Sequence, residues 1–388
     1  MNARLLNWGQ SQSGPKWGPI NEVGVNWRPT AISKVFDPAT DPFCNNRALN
    51  PIYFDPISRE IAMQAILLEE FGGPEVLAIG EAQTPEPGEH QVLIKVEATT
   101  VNRADTIQRL GHYPAPKGES ELLGLEVAGT IAALGPGVEG HAIGDRVMSL
   151  VGGGGYAEFA TAYADHLIPI PQRLSFEQAA CVCETYITAY LNVFMLGDIE
   201  DGETVLLHGG GGGVNTSGIQ ICRALTPESR IIVTASAGKL ERVAELGAHD
   251  VIDYKAQDFA EAVREITAKR GADVILDHIG GKYLAGNLKA LAVGGRLVII
   301  GLMGGAKAEI NLGALMVKRQ QVIGSVLRSR SVAEKTGIVA QFANAVMPLF
   351  EQGAIEPLIH AVLPLAEAAE AHRMMEASEH FGKIVLVP

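Results

Sequence analysis

Residues 204–239, TVLLHGGGGGVNTSGIQICRALTPESRIIVTASAGK, constrain the fold more than any other stretch of the chain. Thr204 to His208 is a short β-branched and apolar run, the pattern of a buried strand. Five glycines follow at 209–213, and then an apolar-periodic segment at 214–225. Glycine allows φ > 0 and lets backbone amides approach a ligand with no Cβ in the way. A helix starting there aims its free amides and positive dipole end at an anion. A second strand at 230–234 completes a βαβ unit. A glycine run alone also fits a flexible turn, but with strands on both sides it reads as a dinucleotide-phosphate cradle.

Roughly 20 positions after the glycines an NAD site usually carries an acidic residue. This chain has Ala235, Ser236 and Lys239 there. A carboxylate would repel a 2′-phosphate, whereas a hydroxyl and an ammonium would hold one. The expected cofactor is therefore NADPH rather than NADH.

The rest of the chain sorts around this unit. Its 388 residues suit two domains. Gln64 to Leu68 and Val92 to Val96 read as strands, and residues 124–150 hold short β-like runs between Gly and Pro, the texture of a small irregular β-barrel. Residues 175–194 read as helical, with Ser175 as N-cap and Gln178 three residues on. Helices and strands then alternate to about residue 300, which implies a parallel, doubly wound sheet. Strand 322–327, helices at 332–352 and 366–377, and a terminal strand at 383–387 follow. The expected architecture is α/β: a β-rich domain at 63–185 and 322–388, with a nucleotide-binding domain at 186–321 inserted into it.

Residues 1–62 differ in texture. They hold all three tryptophans among many Pro, Asn and Gly, with no helical or strand period. They read as a poorly ordered or loosely docked extension, with Met63 opening the domain proper. The formal charge of −13 disfavours nucleic acid or an anionic membrane as a partner. No uninterrupted apolar run is long enough to span a bilayer. Cys44, Cys181, Cys183 and Cys222 are too scattered for a disulfide framework, which points to a reducing compartment, the cytoplasm. Cys181 and Cys183 read as buried thiols rather than a redox or metal pair.

Several stretches together resemble the zinc-independent medium-chain dehydrogenase/reductase superfamily, and within it the NADPH:quinone oxidoreductases. They are VNRADTIQRLGHYPAP (101–116), LGLEVAGTI (123–131), the glycine cradle, LDHIGG (276–281), GLMGG (301–305), LRSR (327–330) and GKIVL (382–386). The resemblance implies a GroES-like barrel flanking a Rossmann domain, in a homodimer or homotetramer. It implies that Ser236, Lys239 and Tyr254 meet the adenosine 2′-phosphate, and that Gly210, Gly211, Gly212, Gly213 and Val214 lie under the pyrophosphate. It implies that Thr188, Gly301, Leu302 and Met303 surround the nicotinamide, with Leu327 and Lys383 lining the cleft. Two positions depart from the family cradle. Gly212 replaces a serine, and Asn215 replaces the last glycine at the expected helix start, where Asn is a good cap.

Zinc-dependent members need Cys and His ligands at the barrel end. Here Leu125 occupies the usual histidine position, and no cysteine stands near Asn102 to Asp105. No metal is expected. The feasible step is hydride delivery from NADPH to an already electrophilic acceptor, a quinone or a conjugated enone. Tyr113, Asn102 and Asp105 are the candidates for assisting it. Tyr113 would donate to the developing oxyanion or simply pack on a planar ring. Asn102 would donate an amide N–H, and Asp105 would orient it or cap the following helix. Arg328 and Arg330 would reach the cofactor phosphates or form a solvated pair, while His112 and His278 read as structural. Gly152 to Gly155 would form an open loop beside the cleft or a plain turn. Reduction of an enoyl thioester or alkenal, and NADPH binding without turnover, are the alternatives.

Overall fold

The computed structural model describes residues 62–388, so the segment read as an extension lies outside the described residues except for Ala62. Ala62 already belongs to the first strand, Ala62–Leu68, which pairs antiparallel with Leu77–Gln83.

Six strands form one all-parallel sheet, in the order Asp250–Asp253, Arg230–Ala235, Thr204–His208, Ala272–Asp277, Leu291–Ile299 and Gln321–Gly324. Strands Thr204–His208 and Ala272–Asp277 are buried along their whole length. That is the expected state of parallel strands covered by helices on both faces. One face packs Val205, Leu207, Val233 and Val274 with Ile219 and Cys222. The other packs Leu206, Ile232, Ile275 and Leu297 with Val263 and Leu288. The strand order reverses direction between Thr204–His208 and Ala272–Asp277, the crevice in which such sheets bind ligands. Strand Gln321–Gly324 hydrogen-bonds to Leu291–Ile299, so the parallel sheet runs through Gly324, past the expected domain boundary at 321.

The second sheet has strand Gln91–Val101 at its centre. It pairs with Glu126–Leu134, with Phe159–Tyr163 and with the terminal strand Lys383–Val387. The chain thus leaves the β-rich unit, builds the parallel sheet and returns to complete the first sheet with its last residues. This is a GroES-like barrel domain with an inserted Rossmann domain.

Local chemistry explains the element ends. Ser175 accepts from the Gln178 amide, and the Gln178 side chain accepts from the Ser175 amide, a reciprocal cap. The helix so started is short, Phe176–Ala180. The stretch read as one helix is broken, restarts at Cys183–Tyr190 and runs on as a wider turn, Leu191–Leu196. The break places Glu184 in a first turn. Ser331 and Glu334 cap the long helix Val332–Gln352, which ends at Gly353 with φ +74. No helix of the described residues is long and apolar enough to cross a membrane.

Candidate active site

The glycine turn sits at the carboxyl end of Thr204–His208. Only Gly209 has a positive φ, +82. Three others stand in close approach to side chains. A Cβ on Gly210 would lie 2.5 Å from Val233 Cγ1, one on Gly213 would lie 2.7 Å from Lys383 Cδ, and one on Gly211 would overlap the Lys239 stem. Gly212 is different, since its nearest neighbour would be Gly209 O at 3.6 Å.

Gly212 is the N-cap of helix Gly213–Leu225. The amides of Gly213 and Val214, in its first turn, have no intrahelical carbonyl to donate to. Asn215 is the third helical residue and does not cap. Its Nδ2 donates instead to His208 O at 2.5 Å and Gly209 O at 3.0 Å, closing the turn from inside. The result is an open cradle with free amides and a positive helix end, and it fits a dinucleotide pyrophosphate.

Ser236 ends strand Arg230–Ala235 with a half-buried hydroxyl. Tyr254 is held beside it by its amide, which donates to Ala235 O at 3.4 Å. Lys239 lies against Gly211, and its Nζ donates to Ser378 O at 2.7 Å and His380 O at 2.6 Å. Burial, then the charges of Arg242 and Arg103, hold its ammonium below the usual lysine range. Arg103 Nη2 donates to Met375 O at 2.6 Å and Ser378 Oγ at 3.1 Å, and the Arg242 guanidinium stacks 4.0 Å over Phe381. Three cations therefore gather around residues 375–381, beside the cradle.

Lys383 reaches the cradle only with its stem. Its Nζ is buried on Glu126 Oε1 at 2.9 Å and Asn102 Oδ1 at 2.6 Å. The Asn102 Nδ2 donates to the same Glu126 oxygen at 3.0 Å. Both ends of the Asn102 amide are thus engaged, which corrects the expectation that it donates to a substrate. Asp105 is fully buried. Its carboxylate accepts from the Asn102 amide at 2.7 Å, the Tyr156 hydroxyl at 3.1 Å and the Gly124 amide at 3.3 Å. Burial pushes its pKa up to about 6. Its contacts are those of a helix-capping strut, the alternative read from the sequence.

Of the residues expected around a nicotinamide, Thr188 is 9 % exposed in helix Cys183–Tyr190. Gly301 packs on the His278 backbone, whose ring in turn packs on Gly209. Leu302 and Met303 are over half exposed beyond strand Leu291–Ile299, while Leu327 packs in the core against the helices. Tyr113 is half-buried beneath Arg328, whose guanidinium lies 5.2 Å from the ring centroid. Arg328 Nε donates to Gly152 O at 2.8 Å and Nη1 to Tyr113 O at 3.2 Å. Arg330 is paired with Glu334 at 3.4 Å, away from this group. Gly152 to Gly155 are buried, not an open loop, and present the carbonyl that holds Arg328.

Two carboxyls that sequence reasoning passed over complete the site. Glu126 is fully buried and receives Lys383, Thr100, Asn102 and the Glu184 amide. Glu184, half-buried, has no hydrogen-bonding or ionic partner for its carboxyl among the described residues. The available signal was one acidic residue inside each of two apolar runs, GLEVAG and CVCETYIT. A buried acid needs a partner or a task.

The alcohol dehydrogenase GroES-like domain family matches residues 88–172, and the zinc-binding dehydrogenase family matches residues 246–386. Despite that second name, no group of three or more His, Cys, Asp or Glu among the described residues could hold a metal ion. A rat quinone oxidoreductase is 36 % identical over 329 residues, covering 84 % of this chain and 98 % of that protein. A mycobacterial protein solved in complex with NADPH is 33 % identical with a TM-score of 0.76, covering 84 % of this chain and all of that one. An NAD-dependent alcohol dehydrogenase structure is 32 % identical with a TM-score of 0.74, over 84 % of this chain and all of its own.

Proposed function

The chain belongs to the quinone oxidoreductase family of the medium-chain dehydrogenases/reductases, and from that premise we propose that it reduces quinones or conjugated enones with NADPH, without a metal. As an enzyme of this family it uses a nicotinamide cofactor and a small-molecule substrate. The observation that carries the finer reading is the cluster at the end of strand Arg230–Ala235. Ser236, Lys239 and Tyr254 stand there with Arg103 and Arg242 nearby, where an NADH site has its carboxylate.

When bound, the cofactor supplies the hydride. The residues of the chain do the rest. Gly211, Gly213 and Val214 hold the pyrophosphate with backbone amides, and Lys239 and Ser236 take the 2′-phosphate. Thr188, Gly301, Leu302 and Met303 border the ring. Tyr113 is the aromatic side chain assigned to a planar acceptor, beside Arg328. Proximity does much of the catalysis in such a site.

The departures from the family cradle at Gly212 and Asn215 would favour a reading without turnover. Gly212 faces open space and Asn215 secures the turn, so neither weakens the cradle. The unpaired edge of strand Gln321–Gly324 lies near exposed Leu312, Met316, Val317 and Val322, a surface suited to a second copy. A homodimer or homotetramer is the assembly we assign, and sedimentation velocity checks it. Free, buried Cys181, Cys183 and Cys222 suit the cytoplasm.

The test is cofactor consumption against a panel of quinones, alkenals and enoyl thioesters. Quinone or enone turnover supports the proposal. Turnover confined to enoyl thioesters would replace it with the thioester reductase.

A further inference from the structure

A 2′-phosphate carries about 1.5–2 negative charges at pH 7, and Lys239 answers only one of them. The cations around Lys239 come from both domains, and one of them has donors to spare.

Ser378 is the residue on which they meet. It ends helix Ala368–Ala377 in the left-handed region, φ +57, which an L side chain enters only at a cost. Its carbonyl oxygen accepts from Lys239 Nζ at 2.7 Å, and its hydroxyl accepts from Arg103 Nη2 at 3.1 Å. Lys239 follows the second strand of the Rossmann sheet, whereas Arg103 opens helix Arg103–Arg109 of the barrel domain. The ammonium and the guanidinium are thus one residue apart. Lys239 Nζ also lies 2.9 Å from where a Gly211 Cβ would stand, so the pair is beside the cradle.

Arg103 is not used up by its contacts. Nη2 donates to Met375 O at 2.6 Å and to Ser378 Oγ, while Nε and Nη1 have no acceptor among the described residues. Neither atom is among the buried ones left without a partner, so both keep access to solvent. The local charge balance points the same way. Lys239 feels Arg242 and Arg103 as like charges, in a chain whose formal charge is −13. The acids facing the group are Glu379 and Glu376, and Glu376 is already paired with Arg109. An anion placed between Arg103 and Lys239 relieves that repulsion.

We propose that Arg103 is a specificity-determining residue for the cofactor, taking the 2′-phosphate through its free Nη1 alongside Lys239. The inference rests on the NADPH reading above and adds that the phosphate is held from both domains. A guanidinium suits this task, being planar, weakly hydrated and charged at every working pH. NADPH then fastens helix Arg103–Arg109 and Ser378 to the Rossmann domain. NADH, with a hydroxyl in place of the phosphate, does not.

Isothermal titration of the full chain with 2′,5′-ADP and with 5′-AMP is the test, since the two differ only in the 2′-phosphate. Wild type should prefer 2′,5′-ADP. Arg103→Met should cut that preference by ~10-fold or more, and Arg103→Lys should restore part of it. Arg103 also braces Met375 and Ser378, so Arg103→Gln, which keeps a donor for the Met375 carbonyl, is the second variant and should show the same selective loss. Hydrogen exchange gives an independent readout. The amides of helix Arg103–Arg109 should slow more with 2′,5′-ADP than with 5′-AMP in wild type, and equally with both in the variants. Equal weakening of both nucleotides, or a preference as large as in wild type, makes Arg103 a strut and overturns the proposal. A wild-type protein with no preference overturns the NADPH reading itself, and the role of Arg103 with it.

Discussion

Lys383 Nζ lies 2.9 Å from Glu126 Oε1, with the two side chains 5 % and 0 % exposed. The pair ties the terminal strand to strand Glu126–Leu134 and, through the Glu184 amide, to helix Cys183–Tyr190. Each charge has further partners in Asn102 and Thr100. Removing one member leaves the other buried and uncompensated, which typically costs ~3–5 kcal/mol. Glu126→Gln and Lys383→Met should each lose stability of that order in urea titrations. The double variant should lose less than the sum. A cost below ~1 kcal/mol for either single variant would mean that water reaches the pair.

The glycine turn gives a contrast within one motif. Gly210→Ala drives a methyl into Val233 and Val243 and should destabilise the protein by ~1–3 kcal/mol. Gly212→Ser meets open space at an N-cap with φ −81. It should be neutral or stabilising by a few tenths of a kcal/mol. Thermal unfolding of the two variants side by side checks this, and equal losses would contradict the difference between the positions.

Much of the fold was legible because the chain states it locally. Strand Thr204–His208, helix Val332–Gln352 and strand Lys383–Val387 begin and end where periodicity and caps indicate. The break after Ala180 was not legible, because both sides of it are equally apolar and helix-prone. The cradle could be read since five glycines in a row leave few other uses. Asn102 and Asp105 could not be placed from spacing alone. What engages them are Lys383, Glu126 and Tyr156, which tertiary folding brings from distant parts of the chain. Glu184 was hidden for the same reason, since burial, and then Glu126, raise its pKa, and neither is visible from its neighbours in sequence.

Lys239 has two possible tasks, and one substitution separates them. If it holds a 2′-phosphate, Lys239→Glu should weaken NADPH by ~10–100-fold and NADH only slightly, measured by fluorescence titration. Its bonds to Ser378 O and His380 O also brace the cradle against the segment at 378–380. Equal weakening of both cofactors would leave it only that bracing role.

Acid and alkaline stability should have different owners. Burial lowers His208 and His372 to about 3 and His278 and His380 to about 4. The folded state binds fewer protons there than the unfolded chain, so stability is lost as pH falls below about 6.5. Glu184 is raised, so the folded state keeps a proton the unfolded chain releases. Its contribution is present at low pH and lost as pH rises from the ordinary carboxylate range to about 8. Glu184→Gln should therefore unfold at higher urea than wild type at pH 9 and match it at pH 4. Identical midpoints at both pH values would contradict the raised acid.

The most direct measurement is kcat/KM for NADPH and for NADH with one saturating quinone, on the full 388-residue protein. The account predicts turnover with both cofactors and a clear preference for NADPH. Tight NADPH binding with no oxidation by quinone or enone, or a preference for NADH, would contradict it.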